Sequence, residues 1–266
     1  MKRARPLHLP VFVLAVVLGV GCSGSTGSQV FTFHAAARGT DGAANGSLTF
    51  VTPSGWSVTL TRAHLRVGPL YVNHAVPISQ GRATGGYSSG RYLAQVLSQV
   101  TVDALSPSAV PFATDGDGVA DLAQTGEVWL LPDGGDDETT ILDIAGTATR
   151  AGVTVPFDGT LPIDGSWLAP ASPATPGESP ILAIRQVTDI PAAFYTQPGG
   201  TLLLHVEPAR LFDAVSDFSS LQQNGAGAGG AFKLGASGLA SDATTVAIFR
   251  GLHAHEGVYR FEWQSP

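Results

Sequence analysis

Three clusters of residues in this chain could do chemistry. The first is Asp115-Gly116-Asp117-Gly118-Val119-Ala120-Asp121. Calcium wants six to eight oxygens, mostly carboxylate and carbonyl, on a tight turn. Asp115, Asp117 and Asp121 could supply them, although Asp-Gly pairs also make plain turns without any metal. The second is His253 and His255, with Glu256 adjacent. In an extended strand, residues two apart leave the same face, a geometry that suits a first-row metal. A third ligand would have to come from His34, His64, His74 or His205; an ordinary polar turn before Gly257 is the competing reading. The third is Gly86-Tyr87-Ser88-Ser89-Gly90, which has the letters of a nucleophile elbow. Such an elbow needs a buried strand before its serine and an alternating strand–helix chain. Gln80 to Gly85 is not such a strand, so a serine hydrolase at Ser88 ranks last and the chain reads as non-enzymatic.

Other motif-like stretches fit loops. Gly225 to Gly230 contains a G-x-G-x-x-G pattern, but no strand leads into it. Asp133, Asp136, Asp137 and Glu138 read as a solvated hairpin tip.

The elements that must position these residues read as strands. Phe31 and Phe33 alternate with Thr32 and His34, and Trp56, Val58 and Leu60 with Ser57, Thr59 and Thr61. The apolar phase then flips to Ala63, Leu65 and Val67, which predicts a bulge near Thr61-Arg62. Ala151-Gly152 predicts a tight turn between strands at 139–150 and 153–163. Tyr92, Leu93, Val96, Leu97 and Val100 recur at helical spacing, and Pro208 opens a second short helix carrying Leu211, Phe212, Val215 and Phe218. Val246–Phe249 and Val258–Trp263 predict a terminal hairpin, with Tyr259, Phe261 and Trp263 on one face and Arg260 and Glu262 on the other. Leu202 to Val206 is a buried strand, and His205 within it a hydrogen-bonded core histidine. Many short strands between turn signals imply an all-β fold, a mostly antiparallel β-sandwich with one or two short helices.

The N-terminus sets the compartment. Met1-Lys2-Arg3-Ala4-Arg5 precedes an apolar run from Val11 to Val20, then Gly21 and the only cysteine, Cys22. A charged start, a short apolar core and a small-residue exit are the layout of an export signal. The run is about half the ~20 residues a membrane span needs. The expected organisation is therefore a signal peptide at 1–21, a Ser/Gly tether at 22–28 and one domain at 29–266 with a Pro-rich crossing loop at 169–180. At ~5–6 Å × √n the tether reaches only about 15 Å.

The cysteine at this junction resembles the lipobox of bacterial lipoproteins, in which it becomes the lipidated first residue. That resemblance implies a membrane anchor at Cys22, and Ser23 in place of Asp implies sorting to the outer membrane, on its periplasmic or outward face. Gly19-Val20-Gly21 also suits an ordinary signal peptidase. D-x-D-G-x-x-D is similar to the calcium loops of thrombospondin type-3 repeats, with Ala113 at a position those loops make acidic. The runs Gly55-Trp56-x-Val58-x-Leu60 through Val67-Gly68, Gly126-Glu127-Val128-Trp129 and Gly146-Thr147-Ala148 resemble uncharacterised exported lipoproteins of the myxobacterial type. More faintly, they are similar to MbnP-like copper-associated exported proteins. This implies copper as a cofactor alongside calcium, but carries no ligand residue across.

Composition bounds the partners. Without Lys2, Arg3 and Arg5 the mature chain keeps eleven basic residues against twenty-one acidic, a net charge of −10. An acidic domain is a poor nucleic-acid binder and offers no polybasic membrane patch. With Cys22 acylated no thiol remains for a disulfide, so the 44% apolar content must supply the core. The expected role is a binding or structural module of the envelope, with a protein or small-molecule ligand.

Overall fold

A computed structural model describes residues 29–75, 92–131, 140–167, 180–218, 232–233 and 243–266. Cys22 with its signal and tether, Ser88, the acidic group at 133–138, the loop at 169–179 and the glycines at 225–230 lie outside the described residues.

The fold is all-β and mostly antiparallel. One sheet runs β12 (Gln186–Tyr195), β9 (Leu122–Trp129), β4 (Leu70–Asn73), β5 (Tyr92–Val96), β8 (Gly116–Val119), β1 (Val30–Arg38), β13 (Thr201–Val206) and β15 (Tyr259–Gln264). The short β7 (Val110–Pro111) also pairs with β1. Its end strands β12 and β15 lie alongside each other, so the sheet rolls towards closure around Phe33, Val72, Val128, Leu204 and Phe261. The second sheet runs β14 (Phe232–Lys233), β11 (Val153–Pro162), β10 (Thr140–Arg150), β3 (Ser57–Val67) and β2 (Leu48–Val51), with β6 (Val100–Asp103) also on β3. Among the described residues two ladders are parallel, β1 with β13 and β11 with β14. One hydrophobic cluster draws on both sheets.

The predicted bulge is present. The β10–β3 ladder steps from Ala145↔Arg62 to Gly146↔Leu60, leaving Thr61 as the extra residue. That single residue turns Val58 and Leu60 before it, and Ala63, Leu65 and Val67 after it, to the same core. Ala151 and Gly152 both have positive φ, 51° and 80°, as a two-residue hairpin of this kind requires.

Two predicted elements differ. Tyr92–Val96 is strand β5 rather than a helix; its apolar run is too short for periodicity to decide, and ladders to β4 and β8 fix it as strand. The predicted strand at 246–249 lies inside a helix. Among the described residues the helices are α1 (Pro180–Ala183) and α2 (Ala243–Leu252), with 3-10 turns over Gly165–Trp167 and Pro208–Phe212. In α2, Thr244, Ala247, Ile248, Gly251 and Leu252 are buried, the i, i+3, i+4, i+7, i+8 stripe of an amphipathic helix. Gly251 is required there: a Cβ would lie 2.3 Å from the Leu211 carbonyl oxygen. α2 packs on the 3-10 turn over Pro208–Phe212; Phe212 of that turn and Phe218 pack on Phe157 of β11, and Trp56 packs on Phe218 at 5.3 Å.

Candidate functional site, a charged cleft at one end of the rolled sheet

The helix overturns the premise for a histidine pair at 253 and 255. His253 follows α2, where its Nδ1 lies 2.8 Å from the Phe249 carbonyl and its Nε2 2.5 Å from that of Ile184. Both ring nitrogens thus face backbone carbonyls at hydrogen-bond distance, which leaves neither open towards a metal. His255 is exposed on the turn beyond. The aspartate motif also takes another form, because Gly116–Val119 is strand β8 and not a loop. Asp115 meets His34 Nδ1 at 2.8 Å, and Asp117 takes the Gln95 side-chain amide. Asp121 accepts the Leu122 N–H, with His74 at 3.4 Å. Among the described residues, no group of three or more His, Cys, Asp or Glu side chains is arranged to hold a metal.

A different constellation does converge. Where β1, β13 and β15 end, a cleft of about 520 Å³ opens between Thr40, His205, Glu207, Arg210, Glu256 and Arg260. Register builds it. The parallel β1–β13 ladder sets Arg38 beside His205, and the antiparallel β13–β15 ladder sets His205 beside Arg260. Adjacent positions on one sheet face interact directly. Arg38 Nε donates to His205 Nδ1 at 3.1 Å, and Arg38 Nη2 to Asp41 Oδ2 at 2.8 Å. A guanidinium only donates, so Nδ1 holds the lone pair and Nε2 the proton. That N–H then donates to Glu262 Oε2, 2.8 Å away. The tautomer is therefore fixed and the ring is neutral. Burial, with Arg260 and Arg38 nearby, holds His205 below the ordinary imidazole value, outweighing the hydrogen bond to Glu262. Burial pushes Glu262 up, but bonds from His205, Gln264 and Arg260 outweigh it and leave the carboxyl below its usual value.

The walls are held by backbone. Gly39 and Thr40 donate to Ser106 and Ala104 carbonyls at 2.8 and 3.0 Å, and a Cβ on Gly39 would lie 2.3 Å from Ala104. Thr40 Oγ1 accepts the Gly42 N–H at 3.1 Å and donates to Glu207 Oε2 at 2.8 Å. Gly257, at φ +95°, lets the Arg210 stem lie across the turn. The site thus presents carboxylates at Glu207 and Glu256 and exposed guanidiniums at Arg210 and Arg260 around a neutral imidazole. Both His205 nitrogens are engaged in hydrogen bonds within the protein. Of the cleft residues, the sequence pointed to His205, as a polar residue in a buried strand that had to have a partner, and to Glu256, beside the histidine pair. Arg38, Thr40, Glu207 and Glu262 carry no local motif.

The architecture is that of an all-β protein with a polar cleft at the end of its larger sheet. No family model matches the chain, and no curated protein matches it. A solved structure, MbnP from Methylosinus trichosporium, aligns over 90% of this chain and 100% of its own at 15% identity, with a TM-score of 0.36. A likeness of that size transfers no residue and no activity.

Proposed function

We propose that this chain is an exported lipoprotein, anchored through Cys22 to the outer membrane, that binds a small ligand in the charged cleft. One observation carries the binding reading: a 520 Å³ cleft lined by both signs of charge, beside ladders that set Arg38, His205 and Arg260 side by side. Arg210 and Arg260 suit a carboxylate, because a guanidinium presents a planar fork of donors. Glu207 and Glu256 suit an ammonium group. The ligand class is a small molecule or chain end that carries both. The lipobox-like junction at Cys22 supports the anchor.

Thermal unfolding of the full chain against a panel of free amino acids and dipeptides tests this. A ligand at a hundredfold excess over its Kd stabilises by about 2.7 kcal/mol. At least one member should raise Tm, and Glu207→Gln with Arg210→Gln should abolish the rise. No shift across the panel, or a shift the variant keeps, would refute the cleft. Copper and calcium salts belong in the same panel. A calcium shift abolished by Asp117→Asn would move the ligand site to β8.

A further inference from the structure

The opposite end of β1 is built from aromatic rings. Phe31, Phe33 and Phe194 gather around Trp263, with centroids 6.3, 5.1 and 6.1 Å from it. Val30 and Tyr195 stand outermost, 65% and 66% exposed. They share this end of the sheet: Val30 pairs with Val119, and Thr196 Oγ1 donates to the Val119 carbonyl at 2.6 Å. A cavity of about 600 Å³ opens beside Phe31 and Phe33, rimmed by His34, Asp115 and Gly200, and among the described residues no Lys or Arg lines it.

Val30 is also the first strand residue after the tether. The chain between Cys22 and Val30 reaches only about 15–17 Å, so the aromatic end is the end nearest any anchor. We propose that this end, Val30 and Tyr195 foremost, rests on the lipid surface to which Cys22 ties the chain. The inference relies on the lipoprotein reading above. Tyr195, an apolar ring with one polar atom, suits the boundary between acyl chains and headgroups. Two exposed side chains would bind a bilayer only weakly on their own. A short tether makes the contact intramolecular, at an effective concentration in the millimolar range, which is enough to populate a weak contact. Without basic residues at the cavity, docking rests on apolar burial and is indifferent to anionic lipid and to salt.

The test uses the lipidated full chain in phosphatidylcholine vesicles. A nitroxide is placed at Tyr195→Cys or, for comparison, at Val153→Cys on the 49% exposed hairpin of the second sheet. Cys22 is the only native cysteine, and acylation removes it as a labelling site. The expected result is that the label at 195 loses access to a water-soluble nickel complex and gains oxygen collisions, while the label at 153 stays aqueous. Adding phosphatidylglycerol should leave both unchanged. A lipidated chain whose two labels are equally exposed to nickel overturns the docking and leaves the anchor standing. A chain without lipid mass at Cys22 overturns both. Shielding at 195 from nickel and oxygen alike would point to a second copy of the chain and would also overturn the docking.

Discussion

The two ends of β1 differ in kind. Its nine residues span about 30 Å. At the Arg38 end, hydrogen bonds link an arginine, a histidine and a glutamate from three adjacent strands. At the Val30 end, Phe31, Phe33, Phe194 and Trp263 do the packing. The aromatic end is held by area and shape, so truncation there threatens the fold. The charged end is held by paired polar groups, so truncation there leaves the fold and changes protonation and recognition.

The largest effect should come from the aromatic end. Phe33, 2% exposed and 5.1 Å from Trp263, should cost about 3–5 kcal/mol as Phe33→Ala, read as a lower denaturant midpoint. A loss no larger than a surface substitution gives would break the contrast. At the charged end, Arg38→Met removes a charge-assisted bond to His205 and another to Asp41, for about 1.5–3 kcal/mol. It also removes one of the positive charges that hold His205 down, so the imidazole should titrate at higher pH in the NMR signal of its Cε1 proton.

Two buried ionisable groups sharpen the comparison through pH. His205 has a folded value below its ordinary 6.5. Its neutral form therefore stabilises fully above pH 6.5, and this is lost as pH falls through the folded value, because the unfolded chain then binds the extra proton. Glu127, on β9, has the opposite sign. Burial raises it above its ordinary 4.5, although Gln186, at 2.7 Å, and Trp129 both donate to Oε1. Among the described residues its Oε2 has no partner. The protonated form is therefore favoured on folding, and that stability is lost as pH rises through the folded value. Glu127→Gln keeps an acceptor for both donors and removes the buried charge. It should raise stability at neutral pH by about 1 kcal/mol, a Tm gain of about 2–4 °C. A loss of that size would show that the carboxylate itself is needed. The smallest effect is at Arg210, 58% exposed and, among the described residues, paired with Asp213 three residues on. Arg210→Ala should stay within about 0.5 kcal/mol of wild type in stability while weakening the cleft's ligand.

What could be read from the sequence follows from locality. The bulge at Thr61 was legible because one extra residue flips every apolar side chain after it. The alternation of Tyr259, Phe261 and Trp263 against Arg260 and Glu262 was legible for the same reason, and the buried Tyr259 and Phe261 beside an exposed Arg260 match it. Helix α2 was not, because its stripe begins at Thr244, whose β-branched neighbours Thr245 and Val246 favour a strand. The cleft was not either. Arg38 and His205, like Thr40 and Glu207, are 167 residues apart, and only the parallel pairing of β1 with β13 brings them together.

The proposed ligand enters the charged end and not the aromatic one. Backbone amide shifts of the full chain, titrated with the amino acid or dipeptide that raises Tm most, test it directly. The predicted perturbations fall on Gly39–Gly42, His205–Glu207 and Glu256–Arg260, with Val30–His34 silent. Perturbations centred on Val30–His34 and Asp115, or none from any member of the panel, would contradict it.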